Sequence, residues 1–267
     1  MPKVTFITVC YRTPNMIRML LRGFEKAGLS FPFEYILVNN AKGDGTSEMV
    51  RETFPWVKVI DSPGNIGYGA GNNIALAQAQ GEYIMTVNPD ILVFPGQLEK
   101  LVAEADRRPD VGIFGPKLLN PDRTIQRSFY RFHTLLIPVY RRTPLGSTPW
   151  GRKAVAWFLM LGHEPTDLME VDWVLGGAQL IRRRVLDEVG RFDERFFMYF
   201  DDVDLCRSAW AKGWRVAYVP QAWLVHFHAR ESDTGSVFGA FFNRTTRVHI
   251  ASAVKYFLKY RGVPLPR

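Results

Sequence analysis

Cysteine is nearly absent from this chain of 267 residues, which has only Cys10 and Cys206. Their separation fits neither a metal-ligand spacing nor a disulfide framework, so both read as small buried side chains. Long apolar runs are missing too. No stretch approaches the roughly 18 to 20 residues needed to span a bilayer, and the opening MPKVTFITV enters a strand without the basic region and cleavage site of a signal peptide. A cytoplasmic chain is expected. Acids are missing from two long segments, one between Asp122 and Glu164 and one after Asp233. The formal net charge of +8 is therefore lopsided: residues 1–110 hold 11 Lys and Arg against 12 Asp and Glu, and residues 111–267 hold 23 against 14. Acid-free basic segments suit anionic lipid headgroups, diphosphates or nucleic acid, and equally a merely solvated basic face. A content of 47% hydrophobic and 22% charged residues excludes disordered and collagen-like classes, and the length allows one large core or two small ones.

Strand and helix signals alternate through the first 120 residues. Residues 4–9 form an apolar strand, followed by Thr13 as N-cap and Pro14 in the first turn of a helix ending at Gly28. Residues 35–38 make a second strand that runs into Asn39, Asn40 and the turn-rich AKGDGT, after which Thr46 caps a short helix. Residues 57–60 are a third strand. This alternation argues for a parallel sheet with right-handed crossovers. Next comes SPGNIGYGAGNN, residues 62–73, leading into a helix at 74–80. It lacks GxGxxG and the later acid of a dinucleotide fingerprint, which disfavours that site; a nucleotide-facing loop or a plain flexible one remains. The stretch GEYIMTVNPD, residues 81–90, reads as a central strand covered on both faces. Asn88 and Asp90 then stand at its carboxyl end, where open α/β sheets bind ligands. Two oxygen-bearing side chains around Pro89 suit a hard divalent ion holding a diphosphate, with an ordinary Asn-Pro-Asp turn as the plain alternative.

Residues 95–107 read as a helix and 111–114 as a strand, and then the alternation stops. Residues 120–165 show no clean periodicity, which marks an insertion, a lid or a partner-facing surface. Residues 171–182 form a strand in which Gly176 and Gly177 signal a bulge or a close ligand approach. An aromatic run at 196–200 delivers Asp201, Asp202 and Asp204 to the start of a helix ending near Gly213. Asp201 suits an N-cap and the helix dipole favours acids there, yet a carboxylate beside an aromatic wall also suits a general base. Residues 215–219 and 223–227 look like two closing strands, with His226 and His228 on one face, which permits a metal ligand without demanding one. Residues 237–260 mix apolar side chains with Arg244, Arg247, Lys255 and Lys259, as an interfacial helix does, or a helix packed back on the domain.

Taken in order, several blocks resemble the family 2 inverting glycosyltransferases of GT-A fold, in particular the rhamnosyltransferase-like branch. They are VTFITVCYR at 4–12, ILVNNAKGDGTSE at 36–48, NIGYGAGNN at 65–73 and TVNPD at 86–90, then VDWVLGGAQLIRR at 171–183, the long block at 190–220 and VHFH at 225–228. The resemblance implies an α/β fold with a mostly parallel central sheet flanked by helices. A Rossmann-like nucleotide-sugar half would cover residues 1–118 and an acceptor-binding, catalytic half 119–235, with the basic aromatic insertion at about 120–165 and a basic amphipathic tail at 236–267. It implies that Tyr11 and Asn39 border the nucleotide base and that the loop with Gly67, Gly69, Asn72 and Asn73 lies near the donor. Asn88 and Asp90 would occupy the DxD metal motif, with His226 as a further ligand for Mg2+ or Mn2+. Asp202 would be the catalytic base, and Trp173, Gly177 and Asp201 would shape the sugar and acceptor pocket. Three positions depart from the family pattern: Arg12, Asn39 and Asn88. An amide oxygen at Asn39 still accepts a base N–H, and Asn88 lowers the ligand charge while Asp90 and the diphosphate remain.

The expected reaction is a single in-line displacement with inversion. The resemblance favours dTDP-L-rhamnose as donor, with UDP-sugars such as galactofuranose next, and a glycan on a lipid carrier as acceptor. The two basic aromatic stretches could hold such an enzyme on the inner face of an anionic membrane. A sugar-nucleotide-forming nucleotidyltransferase shares the layout but needs a Gly-rich basic loop after the first strand, where this chain has CYRTPN. A polyanion-binding module fits the charge, but the basic segments carry no nucleic-acid motif. No segment specifies a number of subunits.

Overall fold

The computed structural model describes residues 1–227 and 244–266. Its first half is a run of crossovers: β1 (Val4–Cys10), α1 (Pro14–Ala27), β2 (Phe33–Asn39), α2 (Thr46–Thr53), β3 (Val57–Asp61), α3 (Tyr68–Leu76) and β4 (Tyr83–Val87). Then follow β5 (Ile91–Leu92), α4 (Gln97–Arg107), β6 (Val111–Leu119), β7 (Ile125–Gln126), β8 (Phe129–Tyr130), α5 (Ile137–Arg142) and α6 (Pro149–Phe158). The remainder is β9 (Met169–Glu170), β10 (Trp173–Val174), β11 (Ala178–Arg182), α7 (Arg183–Val189), α8 (Asp201–Ala211), β12 (Arg215–His226) and a C-terminal helix (Arg244–Lys259).

The main sheet runs β3-β2-β1-β4-β11-β6-β12-β5, with β7 on β6 and β9 on β12. β3, β2, β1 and β4 are mutually parallel, as crossovers through helices require, and β11 enters antiparallel between β4 and β6. Strand order reverses between β1 and β4, the switch point outside whose carboxyl ends open α/β sheets bind their ligands. The predicted central strand is thus central. It is buried at every residue, with Tyr83, Met85 and Val87 in the apolar layer beneath α1 and α4 and Ile84 in the layer on the other face. That second layer joins β10, α8, the insertion and the C-terminal helix through Phe132, Phe158, Trp173, Phe200 and Tyr256. Residues 120–165 therefore contain short helices and contribute core, although their sequence shows no clean period.

Several expected boundaries shift for local reasons. Thr13 makes no side-chain cap on α1, although Pro14 does open that helix. Thr46 lies inside α2, whose N-cap is Gly45 at φ 78°, and Asp44 Oδ1 accepts the Thr46 N–H at 3.0 Å instead. Asp201 is the first residue of α8 and not its cap; Phe200, left-handed at φ 65°, takes that place. The helix expected at 74–80 runs earlier, from Tyr68 to Leu76, so the second half of the glycine-rich stretch is helical. The strand expected over 171–182 breaks at Gly176-Gly177 into β10 and β11. The two expected closing strands are one, β12, whose pairing with β6 shifts register between Val219 and Trp223, around a Pro220 that has no N–H to donate. His228 and residues 237–243 lie outside the described residues. Both cysteines are buried and free.

Candidate active site

The carboxyl end of β4 is tied to two other segments by backbone bonds. The Asn88 N–H donates to the Gly177 carbonyl at 2.9 Å, and the Phe227 N–H donates to the Asp90 carbonyl at 2.8 Å. β5 pairs antiparallel with the end of β12, setting His226 opposite Ile91. This register brings His226 Nε2 to 3.3 Å from Asp90 Oδ2. On the other side of the ring, Nδ1 lies 2.8 Å from Gln126 Oε1, a distance at which Nδ1–H donates to the amide oxygen. In that tautomer the Nε2 lone pair faces a carboxylate, and a shared cation or a proton on Nε2 satisfies both. Asn88 Oδ1 is buried with no hydrogen-bond partner among the described residues. Those residues hold no cluster of three or more His, Cys, Asp or Glu able to bind a metal by themselves. Asp90 and His226 thus offer two ligands with an orphaned amide oxygen on the same strand end, a set that fits a divalent ion completed by phosphate oxygens.

Asp202 reaches the same place through the glycine pair. Its Oδ2 accepts the Gly176 N–H at 2.9 Å and its Oδ1 accepts the Val203 N–H at 2.8 Å. A Cβ added to Gly176 would stand 3.1 Å from Asp202 Cβ, and one added to Gly177 would stand 3.4 Å from His226 Nε2. Consecutive residues therefore touch the candidate base and the candidate metal ligand. Burial pushes the Asp202 carboxyl up to about 6, against the two backbone donors that favour its ionised form. Asp201 is pushed well above the ordinary range by burial and then by the charge of Asp202.

Other expected site residues are placed differently from one another. Tyr11 is exposed next to Arg12, whose guanidinium lies 5.2 Å from its ring. Asn39 is buried with its amide engaged internally: Nδ2 donates to Asp44 Oδ1 at 3.1 Å and Ser47 Oγ at 3.0 Å, and Oδ1 accepts the Ala41 N–H at 2.9 Å. The glycine-rich stretch packs inward. A Cβ on Gly67, at φ 92°, would collide with the Phe197 carbonyl, and one on Gly69 would meet Phe192 Cβ at 3.4 Å. Asn73 donates to the Phe192 carbonyl at 2.8 Å and accepts its N–H at 3.0 Å, while Asn72 donates to the Tyr68 carbonyl at 3.0 Å. This loop joins α3 to the segment leading into α8. Trp173 stacks on Tyr130 at 4.5 Å and on His133 at 5.5 Å, and its indole N–H donates to the Arg131 carbonyl.

Sequence reasoning passed over Gln126, Tyr68 and Tyr130. Gln126 sits in a two-residue strand whose place is set by pairing with Leu118, 8 positions earlier, a contact that no periodicity announces. Tyr68, whose hydroxyl donates to the Gly176 carbonyl at 3.1 Å, had a readable signal as the one aromatic among the loop glycines.

Residues 5–190 match the family described as Glycosyl transferase family 2, and the chain belongs to it. An N-acetylglucosaminyl-diphospho-decaprenol L-rhamnosyltransferase of Mycobacterium tuberculosis is 30% identical over 220 residues, covering 75% of this chain and 68% of that protein. Rhamnosyltransferase WbbL of Escherichia coli K12 is 26% identical over 215 residues, covering 75% and 73%. Among solved structures, GalNAc-T7 with UDP, GalNAc and Mn2+ superposes with a TM-score of 0.63 at 14% identity over 84% of this chain, which spans 44% of that one. The fold is GT-A, and the protein is a glycosyltransferase similar to rhamnosyltransferases.

Proposed function

We propose that this glycosyltransferase moves a sugar, with L-rhamnose from dTDP-L-rhamnose as first choice, to a hydroxyl of a lipid-linked glycan with inversion. The activities for which these relatives are named support the rhamnosyl donor and, in the mycobacterial case, a diphospho-polyprenol acceptor. The observation that carries the mechanism is the glycine pair: Gly176 binds Asp202 and Gly177 abuts His226, so proton removal and leaving-group charge are handled one residue apart. Asp202, raised toward neutrality, takes the acceptor proton. The acceptor oxygen bonds to the anomeric carbon from the face opposite the departing diphosphate, and the electron pair of the broken bond leaves with that diphosphate. Asp90 and His226 would hold Mn2+ or Mg2+, which offsets charge on the leaving group; the imidazole nitrogen favours Mn2+. Gln126 orients His226, and Trp173, buried between Tyr130 and His133, backs the sugar and acceptor pocket. Residues 1–118 would serve the nucleotide and 119–235 the acceptor.

The buried amide of Asn39 supports a second point: base recognition relies more on Tyr11 and backbone groups than on this side chain. The test is thermal stabilisation by dTDP-rhamnose, UDP-galactose, GDP-mannose and a short RNA, each with Mn2+, Mg2+ or chelator. A metal-dependent shift with dTDP-rhamnose that vanishes in Asp90→Ala supports the reading. A shift with another sugar nucleotide alone reassigns the donor, and a shift with RNA alone overturns the transferase.

A further inference from the structure

The two acid-free basic segments, far apart in sequence, meet in the fold. Arg142, at the end of α5, lies 3.0 Å from His249 Nδ1 of the C-terminal helix, across 107 positions. His249 in turn stacks on Tyr199 at 4.5 Å, one residue before Phe200 and two before Asp201. The seam therefore adjoins the turn into α8, the helix whose first turn carries Asp202.

The surface on either side of this seam has an unusual composition. Leu135, Leu136, Val139, Leu145, Trp150 and Trp157 are all exposed, Trp150 at 64%. Trp150 and Trp157 are seven positions apart on α6, two helical turns, so they share a face beside Lys153. On the C-terminal helix Tyr256 is fully buried, and Ile250, Val254 and Leu258 are exposed. At 100° per residue these three lie opposite Tyr256, with Arg247 among them. Residues 123–163 contain seven Lys and Arg and no acid, and residues 244–266 contain five and no acid. Exposed Trp and Leu interleaved with Arg and Lys fit an interface that is apolar below and anionic above. No described helix is long and apolar enough to cross a membrane.

We infer that α5, α6 and the outer face of the C-terminal helix form one docking surface for an anionic lipid bilayer. The inference rests on the transferase reading for its purpose: docked this way, the aromatic wall of Trp173, Tyr130 and Phe200 stands next to the membrane, and a lipid-borne acceptor meets Asp202 without leaving its bilayer. The surface itself follows from the side chains and stands apart from which sugar is moved.

The test is cosedimentation of the full chain with vesicles of phosphatidylglycerol and phosphatidylcholine, against pure phosphatidylcholine, with no donor or acceptor present. Strong binding to the anionic vesicles is expected, with a blue shift of tryptophan emission. Two variants report separately, Trp150→Ser/Trp157→Ser/Leu258→Ser for insertion and Arg152→Glu/Arg247→Glu for attraction. Each should weaken partitioning about tenfold or more. Both should keep the wild-type metal-dependent stabilisation by sugar nucleotide, which shows that they fold. Absence of vesicle binding, or binding unchanged in both variants, overturns the inference. So does a concentration-dependent dimer that buries the same tryptophans, or RNA binding that the same substitutions abolish while vesicle binding persists. If vesicles bind but no sugar nucleotide does, the surface stands and the transferase reading fails.

Discussion

As the proposed base, Asp202 would concentrate the chemistry of the site, and its burial weakens the fold that holds it. Its carboxyl titrates near 6 in the folded protein, above the 3.8 of an ordinary aspartate. The folded state therefore binds the extra proton between those values, so this contribution to stability is complete below 3.8 and is lost as pH rises through 6. Asp202→Asn should gain roughly 1–3 kcal/mol of stability over the wild type at pH 7.5, and the gap should close near pH 4. Denaturant titrations at the two pH values measure it. The same variant should lose about 10²–10⁴-fold in turnover, and the wild-type rate should fall as pH drops below about 6. Asn39 gives the opposite case. Asn39→Asp would turn a donor to Asp44 and Ser47 into a second buried carboxylate facing Asp44, and should cost about 2 kcal/mol at neutral pH, less in acid. An increase in melting temperature would refute that account.

At the scale of elements, α8 is held by the α3 loop and by the C-terminal helix. At its start, Gly67 lets the α3 loop reach Phe197, where the Tyr68 N–H donates to the Phe197 carbonyl at 2.8 Å. Gly67→Ala should therefore shift the turn that presents Asp202 and lower kcat more than donor affinity, measured by steady-state kinetics beside calorimetry. Along its length the C-terminal helix clamps α8: Lys259 Nζ lies 2.8 Å from Asp193 Oδ2 and 2.7 Å from Asp204 Oδ1, and Tyr260 donates to Asp204 at 2.9 Å. Burial raises the Asp204 carboxyl while the Lys259 ammonium opposes that rise. Lys259→Ala would strand Asp204 and should destabilise by roughly 2 kcal/mol at pH 7 and by less as pH falls, because the raised carboxyl takes up a proton. The packing-back alternative for this helix thus describes its inner face. The strand and helix alternation through β4 was readable from period and turn residues, and it set Asn88 and Asp90 at a strand end. Thr13 stands at the N-cap of α1 as expected, without a side-chain cap bond, whereas the one-residue errors at Thr46 and Asp201 arose because a glycine and a left-handed aromatic took those cap positions.

Across the whole molecule, charge and chemistry are segregated. The carboxylates Asp90 and Asp202 gather at the carboxyl end of β4 and the start of α8, while the flank built by the insertion and the C-terminal helix holds basic and apolar groups. These should respond differently to salt. Raising ionic strength from about 0.05 to 0.5 M should release the protein from anionic vesicles, because exposed attractions are screened beyond a few ångströms. Stabilisation by sugar nucleotide with Mn2+ should survive, because those contacts are short and partly buried. Equal loss of both would place the donor on the basic flank and not at the carboxyl end of β4.

By itself the sequence determined the strand and helix alternation of the first 120 residues, the family blocks, the acids at residues 90, 201, 202 and 204, and the two basic segments without acids. Those are local or compositional features, written in neighbouring residues. Only the tertiary structure decided that Gln126 meets His226, that one glycine pair touches both Asp202 and His226, and that Asn39 is engaged by its own loop. It also decided that the two basic segments share a seam at Arg142 and His249. Each of these depends on side chains brought together across long stretches of chain or on where a buried amide points. Neither a period nor a count encodes such a meeting, because it is set by sheet register and packing.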